Sequence, residues 1–96
     1  MAEKFRHLIN IFKNENIELI VMSTLYTQID RYNIKVKQFN EFLKKISYKE
    51  NIIYIDLNQE LAINERLKDE YSFDGIHLTY KGYLIIRNQL KKFIEK

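Results

Sequence analysis

The sequence predicts an α/β fold, in which a parallel βαβ unit is flanked by helices, from three features of its apolar pattern. Residues 17–25 form a nearly continuous apolar run, residues 33–48 repeat apolar side chains at helical spacing, and residues 52–57 are rich in β-branched and aromatic side chains. Continuous apolar runs are typical of strands that are covered on both faces of a parallel sheet. Because the helix lies between the two strands, the chain order predicts a crossover connection between parallel neighbours.

Amphipathic helices are predicted at both ends of the chain. Apolar side chains recur three and four positions apart over residues 2–13, which predicts a helix with one buried face. That face comprises Phe5, Leu8, Ile9 and Phe12. Thr79 can cap a last helix, because a threonine hydroxyl accepts an amide of the first helical turn. The buried stripe predicted for this helix comprises Tyr83, Ile86, Leu90, Phe93 and Ile94. Residues 58–73 predict a short helical turn followed by an irregular loop.

Length and composition predict one domain and exclude several kinds of chemistry. The 96 residues fit a single domain, residues 1–96, because a second core needs a longer chain. There is no cysteine, which excludes disulfides, thiolate catalysis and cysteine-ligated metals. His7 has no companion ligand at helical spacing, so we expect neither a metal nor another cofactor. The 16 basic and 13 acidic residues are interspersed, a distribution that argues against a nucleic-acid partner.

The sequence also gives expectations for membrane insertion and for the cellular compartment of the protein. No apolar run reaches the ~20 residues that a membrane-spanning helix needs, so we expect no membrane span. The N-terminal residues contain no apolar signal-peptide segment. If the chain is complete, this predicts a cytoplasmic protein. If an N-terminal segment is missing, the location stays open.

Two predicted strands are too few for the sheet that they imply. Strands that are apolar on both faces usually lie inside larger parallel sheets, and a two-stranded sheet leaves both edges unpaired. The missing strands then come from an undetected segment of this chain or from another chain. The helical or polar pattern of the remaining residues favours another chain as the source of these strands. We therefore expect an incomplete sheet, and either a homo-oligomer or a complementing partner chain.

The segment Asp74-Gly75-Ile76-His77 is the strongest candidate for chemistry. A spacing of three residues in a tight turn can bring the Asp74 carboxylate to Nδ1 of His77, which leaves Nε2 free to act as a general base. Gly75 suits such a turn because glycine accepts a positive φ. The spacing alone also fits an aspartate that caps the next helix and a histidine that decorates a loop. For Asp56, at the end of the second predicted strand, we expect a structural role as an acceptor of nearby amides.

The longer segment around this turn resembles a known signature. Residues 71–83 read Tyr-Ser-Phe-Asp-Gly-Ile-His-Leu-Thr-Tyr-Lys-Gly-Tyr. Asp-Gly-x-His-Leu, followed by a polar residue and then Gly-Tyr, resembles the last signature block of the SGNH hydrolases, also called GDSL-like lipases or acylhydrolases. Residues 16–25, 32–46 and 51–57 are similar to that family's penultimate strand, the helix after it and its last strand. The resemblance covers about residues 3–95.

This resemblance implies part of a flavodoxin-like α/β/α sandwich and ester hydrolysis by a Ser-His-Asp triad. By motif, Asp74 carries over as the triad acid and His77 as the base that activates the serine. The family's nucleophile lies in a Gly-Asp-Ser block, and one oxyanion donor lies in a Gly-x-Asn block. Neither block occurs in residues 1–96.

Three serines are candidates for a substitute nucleophile, and none is expected to attack. Ser23 ends the first predicted strand without the glycines of a nucleophile elbow, Ser47 ends a helix, and Ser72 lies too close in sequence to reach Nε2 of His77 easily. The sequence therefore predicts a truncated or split ester hydrolase that is inactive alone and acts on an ester once a serine-bearing chain completes it. The alternative is a non-catalytic interaction module or pseudoenzyme that pairs through exposed sheet edges.

Overall fold

Helices and short strands alternate along the chain in a computed structural model that describes residues 2–94. The elements are α1 (Ala2–Asn14), β1 (Ile20–Met22), α2 (Asp30–Lys49), β2 (Ile53–Ile55), α3 (Asn58–Leu61), β3 (Ala62–Ile63), β4 (Arg66–Leu67), a 3-10 turn (Asp69–Tyr71) and α4 (Tyr80–Ile94). Within the described range no helix is long and apolar enough to cross a membrane.

The parallel pair of β1 and β2 forms the centre of the fold, and α2 connects the two strands, as the sequence predicts. Ile20 pairs with Ile53, and Met22 pairs with Ile55. Successive strand residues point to opposite faces of a sheet. Ile55 enters the main core cluster on one face, whereas Tyr54 lines a cleft with side chains of α2 on the other. The strand pair is therefore sandwiched between helical layers.

The main core lies between β2 and the C-terminal helix. Its buried members are Ile55, Leu57, Leu61, Leu67 and Leu78. Partly buried side chains of α4 that pack against them are Ile85, Ile86, Leu90 and Phe93. Thr79 caps α4 as predicted, because its Oγ1 accepts the amide of Gly82 at 3.3 Å. Thr79, two residues after His77, thus immediately precedes α4, which begins at Tyr80.

Asparagine ends both helices that lead into the strands. Asn16 follows α1 with φ +57°, and Asn51 follows α2 with φ +60°. In each case the next amide reaches back five residues: Ile17 N–H donates to the Phe12 carbonyl at 2.9 Å, and Ile52 N–H donates to the Ser47 carbonyl at 2.8 Å. This is the Schellman arrangement, which glycine usually provides. Asparagine thus provides both helix ends in a chain that has two glycines.

A β-hairpin replaces part of the loop predicted for residues 58–73. The helical turn is present as α3, but the prediction of an irregular loop after it is wrong, because β3 and β4 pair antiparallel. Their two-residue connection, Asn64 and Glu65, has φ values of +52° and +60°. Positive φ at both positions is the requirement of a type I′ turn, whose usual sequence is Asn-Gly. The hairpin was not predicted from the sequence because position 65 is glutamate, whereas glycine is the usual signal for this turn.

The strands are shorter and more exposed than predicted. The apolar run over residues 17–25 yields three strand residues, and Met22 and Ile53 are 42% and 41% exposed. No third strand joins β1 and β2 within residues 2–94, so the outer edge of each strand has no strand partner there. The predicted helical stripes are also partly wrong. Leu8 of α1 and both Tyr83 and Ile94 of α4 face outward, because each helix has a neighbour on only part of its surface.

Candidate active site

The loop between the 3-10 turn and α4 brings Asp74 and His77 together. Asp74 Oδ2 lies 2.6 Å from His77 Nδ1, the contact that the sequence predicts for this turn. The other carboxylate oxygen, Oδ1, accepts the backbone amides of Ile76 at 2.9 Å and of His77 at 2.7 Å. Asp74 therefore orients the imidazole and closes the turn with the same side chain. This pairing leaves Nε2 as the ring nitrogen that can accept a proton from elsewhere.

The same three donors determine the acidity of Asp74. The backbone N–H of His77, its imidazole and the amide of Ile76, in that order, lower the pKa of Asp74 from 3.8 to about 2. Hydrogen bonds to a carboxylate favour its charged form. Asp74 is thus an anion at neutral pH, the state that an imidazolium partner requires.

Gly75 attaches this turn to the rest of the molecule. It has φ +87° and is buried although Asp74 and Ile76 on either side are exposed. Its carbonyl accepts the amide of Gln28 at 2.8 Å, and a Cβ at this position would lie 3.3 Å from Gln28 Oε1. Nε2 of Gln28 in turn donates to the Leu67 carbonyl and to Asp69 Oδ1, at 3.1 and 2.6 Å. Gln28 therefore links the loop after β1 to the hairpin and to the Asp74–His77 turn.

Three asparagines hold the loop that follows β1. Asn33, which is buried, accepts the Thr27 amide at 2.8 Å and donates to the Thr27 and Glu65 carbonyls. Asn58, also buried, accepts the Tyr26 amide at 3.0 Å and donates to the Thr24 carbonyl. Asn40 bonds both backbone groups of Thr24, and its Oδ1 accepts the Thr24 amide at 2.7 Å. These roles were not predicted from the sequence, where the only signal for them is asparagine within or beside otherwise apolar segments.

Exposed apolar side chains lie close to the dyad in sequence, and one of them contacts it. The imidazole side chain of His77 is 70% exposed, and the ring of Phe73 stacks on it with centroids 6.3 Å apart and planes inclined by 17°. Phe73, Ile76 and Tyr80 are themselves exposed. The dyad is therefore open to solvent, with one aromatic ring stacked on its imidazole.

None of the three serines faces the dyad as a nucleophile. Ser23 is buried at the end of β1, where its Oγ accepts the Leu57 amide at 3.0 Å. Ser47 is buried inside α2. Ser72 Oγ is engaged by two backbone groups of the dyad turn: it accepts the Gly75 amide at 2.8 Å and donates to the His77 carbonyl at 2.9 Å. Among the described residues, no hydrogen bond joins any of these hydroxyls to Nε2 of His77.

The other residues singled out by sequence have structural positions. Asp56 Oδ1 accepts the amide of Asn58 at 3.0 Å, which confirms the predicted acceptor role. His7 lies on the exposed surface of α1. Burial raises the pKa of the Tyr26 hydroxyl, and Tyr71 packs against the main core. Throughout residues 2–94 no group of three or more His, Asp or Glu side chains is arranged to hold a metal ion.

Comparisons with known proteins agree with this fold. No family model matches the chain. The chain is similar in structure to a GDSL-like lipase from Bacteroides thetaiotaomicron VPI-5482, with a TM-score of 0.85 and 23% identity, covering 95% of this chain and 49% of that one. It is also similar to a putative acylhydrolase from Bacteroides fragilis NCTC 9343, with a TM-score of 0.79 and 22% identity over 95% of this chain and 48% of that one.

The chain is also similar in sequence to a curated protein whose name is neither lipase nor acylhydrolase. The chain is 21% identical over 94 residues to an N-acylneuraminate cytidylyltransferase from Streptococcus agalactiae serotype V, and the match covers 96% of this chain but 23% of that protein. The chain thus spans about half the length of its solved structural relatives and about a quarter of this sequence relative. It has the partial flavodoxin-like α/β fold of about half of a GDSL-like lipase, as its resemblance to the SGNH hydrolases predicts.

Proposed function

We propose that this chain is the acid–base portion of an SGNH-type ester hydrolase, in which Asp74 and His77 serve a serine carried by a partner. The observation that carries the proposal is the 2.6 Å contact between Asp74 Oδ2 and His77 Nδ1. Two further features support it: the contact lies in an Asp-Gly-Ile-His-Leu turn, and the surrounding fold is similar to half of a GDSL-like lipase.

The proposed reaction divides the steps of acyl transfer between the two chains. Nε2 of His77 takes the proton of the partner's serine hydroxyl as the serine oxygen bonds to the ester carbonyl carbon. Asp74 holds the ring through Nδ1 and stabilises the imidazolium that forms. His77 then gives the proton to the departing alkoxide, and water, activated in the same way, hydrolyses the acyl-serine. The products are a carboxylic acid and an alcohol.

The partner must also supply the oxyanion hole. The tetrahedral intermediate carries its negative charge on the former carbonyl oxygen, and each preorganised donor there is worth about 3–4 kcal/mol of transition-state stabilisation. Residues 1–96 contain neither the Gly-Asp-Ser nor the Gly-x-Asn block to which the resemblance assigns these donors. The dyad is also open to water, whereas efficient charge stabilisation needs a closed site. We therefore propose that the chain is inactive alone.

Complementation tests the proposal. The coding DNA directly upstream of Met1 should be read in all three frames for Gly-Asp-Ser and Gly-x-Asn blocks, and the polypeptide that they encode should be purified and mixed with this chain. We expect hydrolysis of 4-nitrophenyl acetate by the mixture, and a loss of 10³-fold or more on His77→Ala. Absence of such blocks from the upstream DNA, or a mixture whose rate is indifferent to His77→Ala, would contradict the proposal.

A non-catalytic interaction module is the second candidate, favoured by the exposed strand pair. Met22 and Ile53 are apolar, exposed and located on a two-stranded parallel sheet, an arrangement suited to pairing with a strand of another chain or of a second copy. If this is the function, His77→Ala leaves it intact while a proline within residues 52–55 abolishes it. Gel filtration at micromolar concentration tests self-association: elution as a dimer or larger supports pairing between copies, and elution as a monomer contradicts it.

A further inference from the structure

Ser72 connects the two ends of the turn that contains the dyad. Its Oγ accepts the amide of Gly75 at 2.8 Å and donates to the carbonyl of His77 at 2.9 Å. The backbone of Ser72 is extended, with φ −143° and ψ 142°, and Ser72 forms an isolated antiparallel bridge with Leu78. One hydroxyl therefore spans the turn from its second residue to its last.

Together, Ser72 and Asp74 satisfy three successive amides of the turn. Ser72 Oγ takes the amide of Gly75, and Asp74 Oδ1 takes the amides of Ile76 and His77. His77 is consequently held from both sides of its own backbone, its N–H by Asp74 and its carbonyl by Ser72. Because these bonds fix the direction of its Cα–Cβ bond, they also determine whether the imidazole can meet Asp74 Oδ2.

We propose that Ser72 is a positioning residue for the Asp74–His77 pair, and that its hydroxyl keeps the imidazole in contact with the carboxylate. The hydroxyl proton points to the His77 carbonyl, so Ser72 acts through the turn and takes no part in attack on a substrate. The functional meaning of this role rests on the proposed hydrolase function. The positioning itself is a property of the chain alone and is measurable without substrate.

Threonine and valine at position 72 form a matched pair for the test. Both are β-branched and accept the extended backbone of this position, and they differ in the hydroxyl. The Ser72→Thr variant should keep the downfield proton resonance of the hydrogen-bonded His77 Nδ1–H at acidic to neutral pH. The Ser72→Val variant should broaden or lose that resonance and raise the pKa of Asp74, read from its side-chain carboxyl ¹³C shift, by about one unit.

Ser47→Ala is the control for removal of a serine hydroxyl elsewhere. Ser47 Oγ is fully buried in α2 without a hydrogen-bond partner among the described residues, and its removal should leave both signals unchanged. The proposal is wrong if Ser72→Val, folded by circular dichroism, retains both wild-type signals. It is also wrong if Ser72→Thr loses them as Ser72→Val does. If Ser72→Val does not fold, Ser72→Ala is compared with Ser72→Thr by the same two criteria.

These experiments distinguish failure of the positioning role of Ser72 from failure of the proposed hydrolase function. Loss of the Nδ1–H signal in Ser72→Val supports positioning even if no ester is ever hydrolysed. Conversely, the complemented enzyme could hydrolyse the ester while Ser72→Val keeps the wild-type Nδ1–H resonance and Asp74 carboxyl shift. In that case the proposed function stands and Ser72 has no positioning role.

Discussion

His77 binds the carboxylate of Asp74 twice, through its backbone N–H to Oδ1 at 2.7 Å and through Nδ1 of its ring to Oδ2 at 2.6 Å. A residue held through both backbone and side chain loses little further freedom when a substrate arrives, which is the meaning of preorganisation. The carboxylate and the imidazole are therefore held in contact, as the proposed acid–base role requires, even though the surface around them is open.

The low pKa of Asp74 predicts a specific loss of stability in acid. Its folded-state pKa, about 2, is below its ordinary value of 3.8, so the unfolded chain binds more protons between these values. The stabilisation from Asp74 is thus complete above about pH 4 and is lost as the pH falls through about 2. Urea unfolding at several pH values should therefore give a smaller fall in unfolding free energy for Asp74→Asn than for wild type over this range. An equal fall in both proteins would contradict the assignment.

Removal of the imidazole should raise the pKa of Asp74 only partly. In His77→Ala the backbone amides of residues 76 and 77 still donate to Oδ1, and the His77 amide is the largest cause of the shift. We expect the carboxyl ¹³C titration to give a pKa between 2 and 3.8. Asp56→Asn is the control and should leave the Asp74 titration unchanged. A His77→Ala titration at the wild-type value would mean that the ring contact is absent in solution.

Asn33 should contribute substantially to stability. Its buried amide satisfies backbone groups of Thr27 and Glu65, and truncation leaves those groups unpaired. We expect Asn33→Ala to lower the unfolding free energy by about 2–3 kcal/mol in urea titrations. Asn10→Ala, on the exposed face of α1, should instead be neutral or slightly stabilising because alanine favours helix. Equal effects of both substitutions would contradict the account of this loop.

Gly75 should tolerate a side chain poorly. Alanine there must adopt φ near +87° and bring Cβ within 3.3 Å of Gln28 Oε1, so Gly75→Ala should cost about 1–2 kcal/mol or more. Gly82→Ala also makes close contacts, 3.1 Å to Leu78 Cδ2, but gains about 1 kcal/mol of helix propensity. Thermal unfolding should therefore rank Gly75→Ala as the more destabilised variant, and the reverse order would refute the role of the turn.

Glu65 offers a test of the type I′ hairpin. Both Glu65→Gly and Glu65→Ala remove the exposed ion pair with Lys37, but only glycine relieves the φ of +60°. The glycine variant should therefore be more stable than the alanine variant by about 1 kcal/mol. Equal stability would show that the connection adopts another turn in solution.

The sequence predicted those features that depend on apolar pattern and on local spacing. Helical periodicity placed α1, α2 and α4 within a few residues, and Asp74 and His77, three residues apart, form the expected contact. The hairpin was not predicted because Glu65 occupies a position where glycine is the usual sequence signal for a type I′ turn. Strand length was overestimated because a strand requires a pairing partner at each residue, and within the apolar run over residues 17–25 only residues 20–22 pair with β2.

Contacts distant in sequence could not be predicted from a single chain. Gln28 reaches Asp69 and the Gly75 backbone across more than forty residues, and Asn58 reaches the loop after β1. Nothing in a local pattern distinguishes these amides from exposed ones. The surroundings of the dyad, including the stacked ring of Phe73, likewise depend on how the loops meet.

Reaction of the purified chain with a fluorophosphonate probe, read by intact mass and peptide mapping, tests the central claim most directly. The claim is that residues 1–96 hold the proton-transfer pair without its nucleophile. The account predicts no covalent adduct on Ser23, Ser47 or Ser72 in wild type beyond that in His77→Ala. A stoichiometric adduct on one of these serines that disappears in His77→Ala would contradict it.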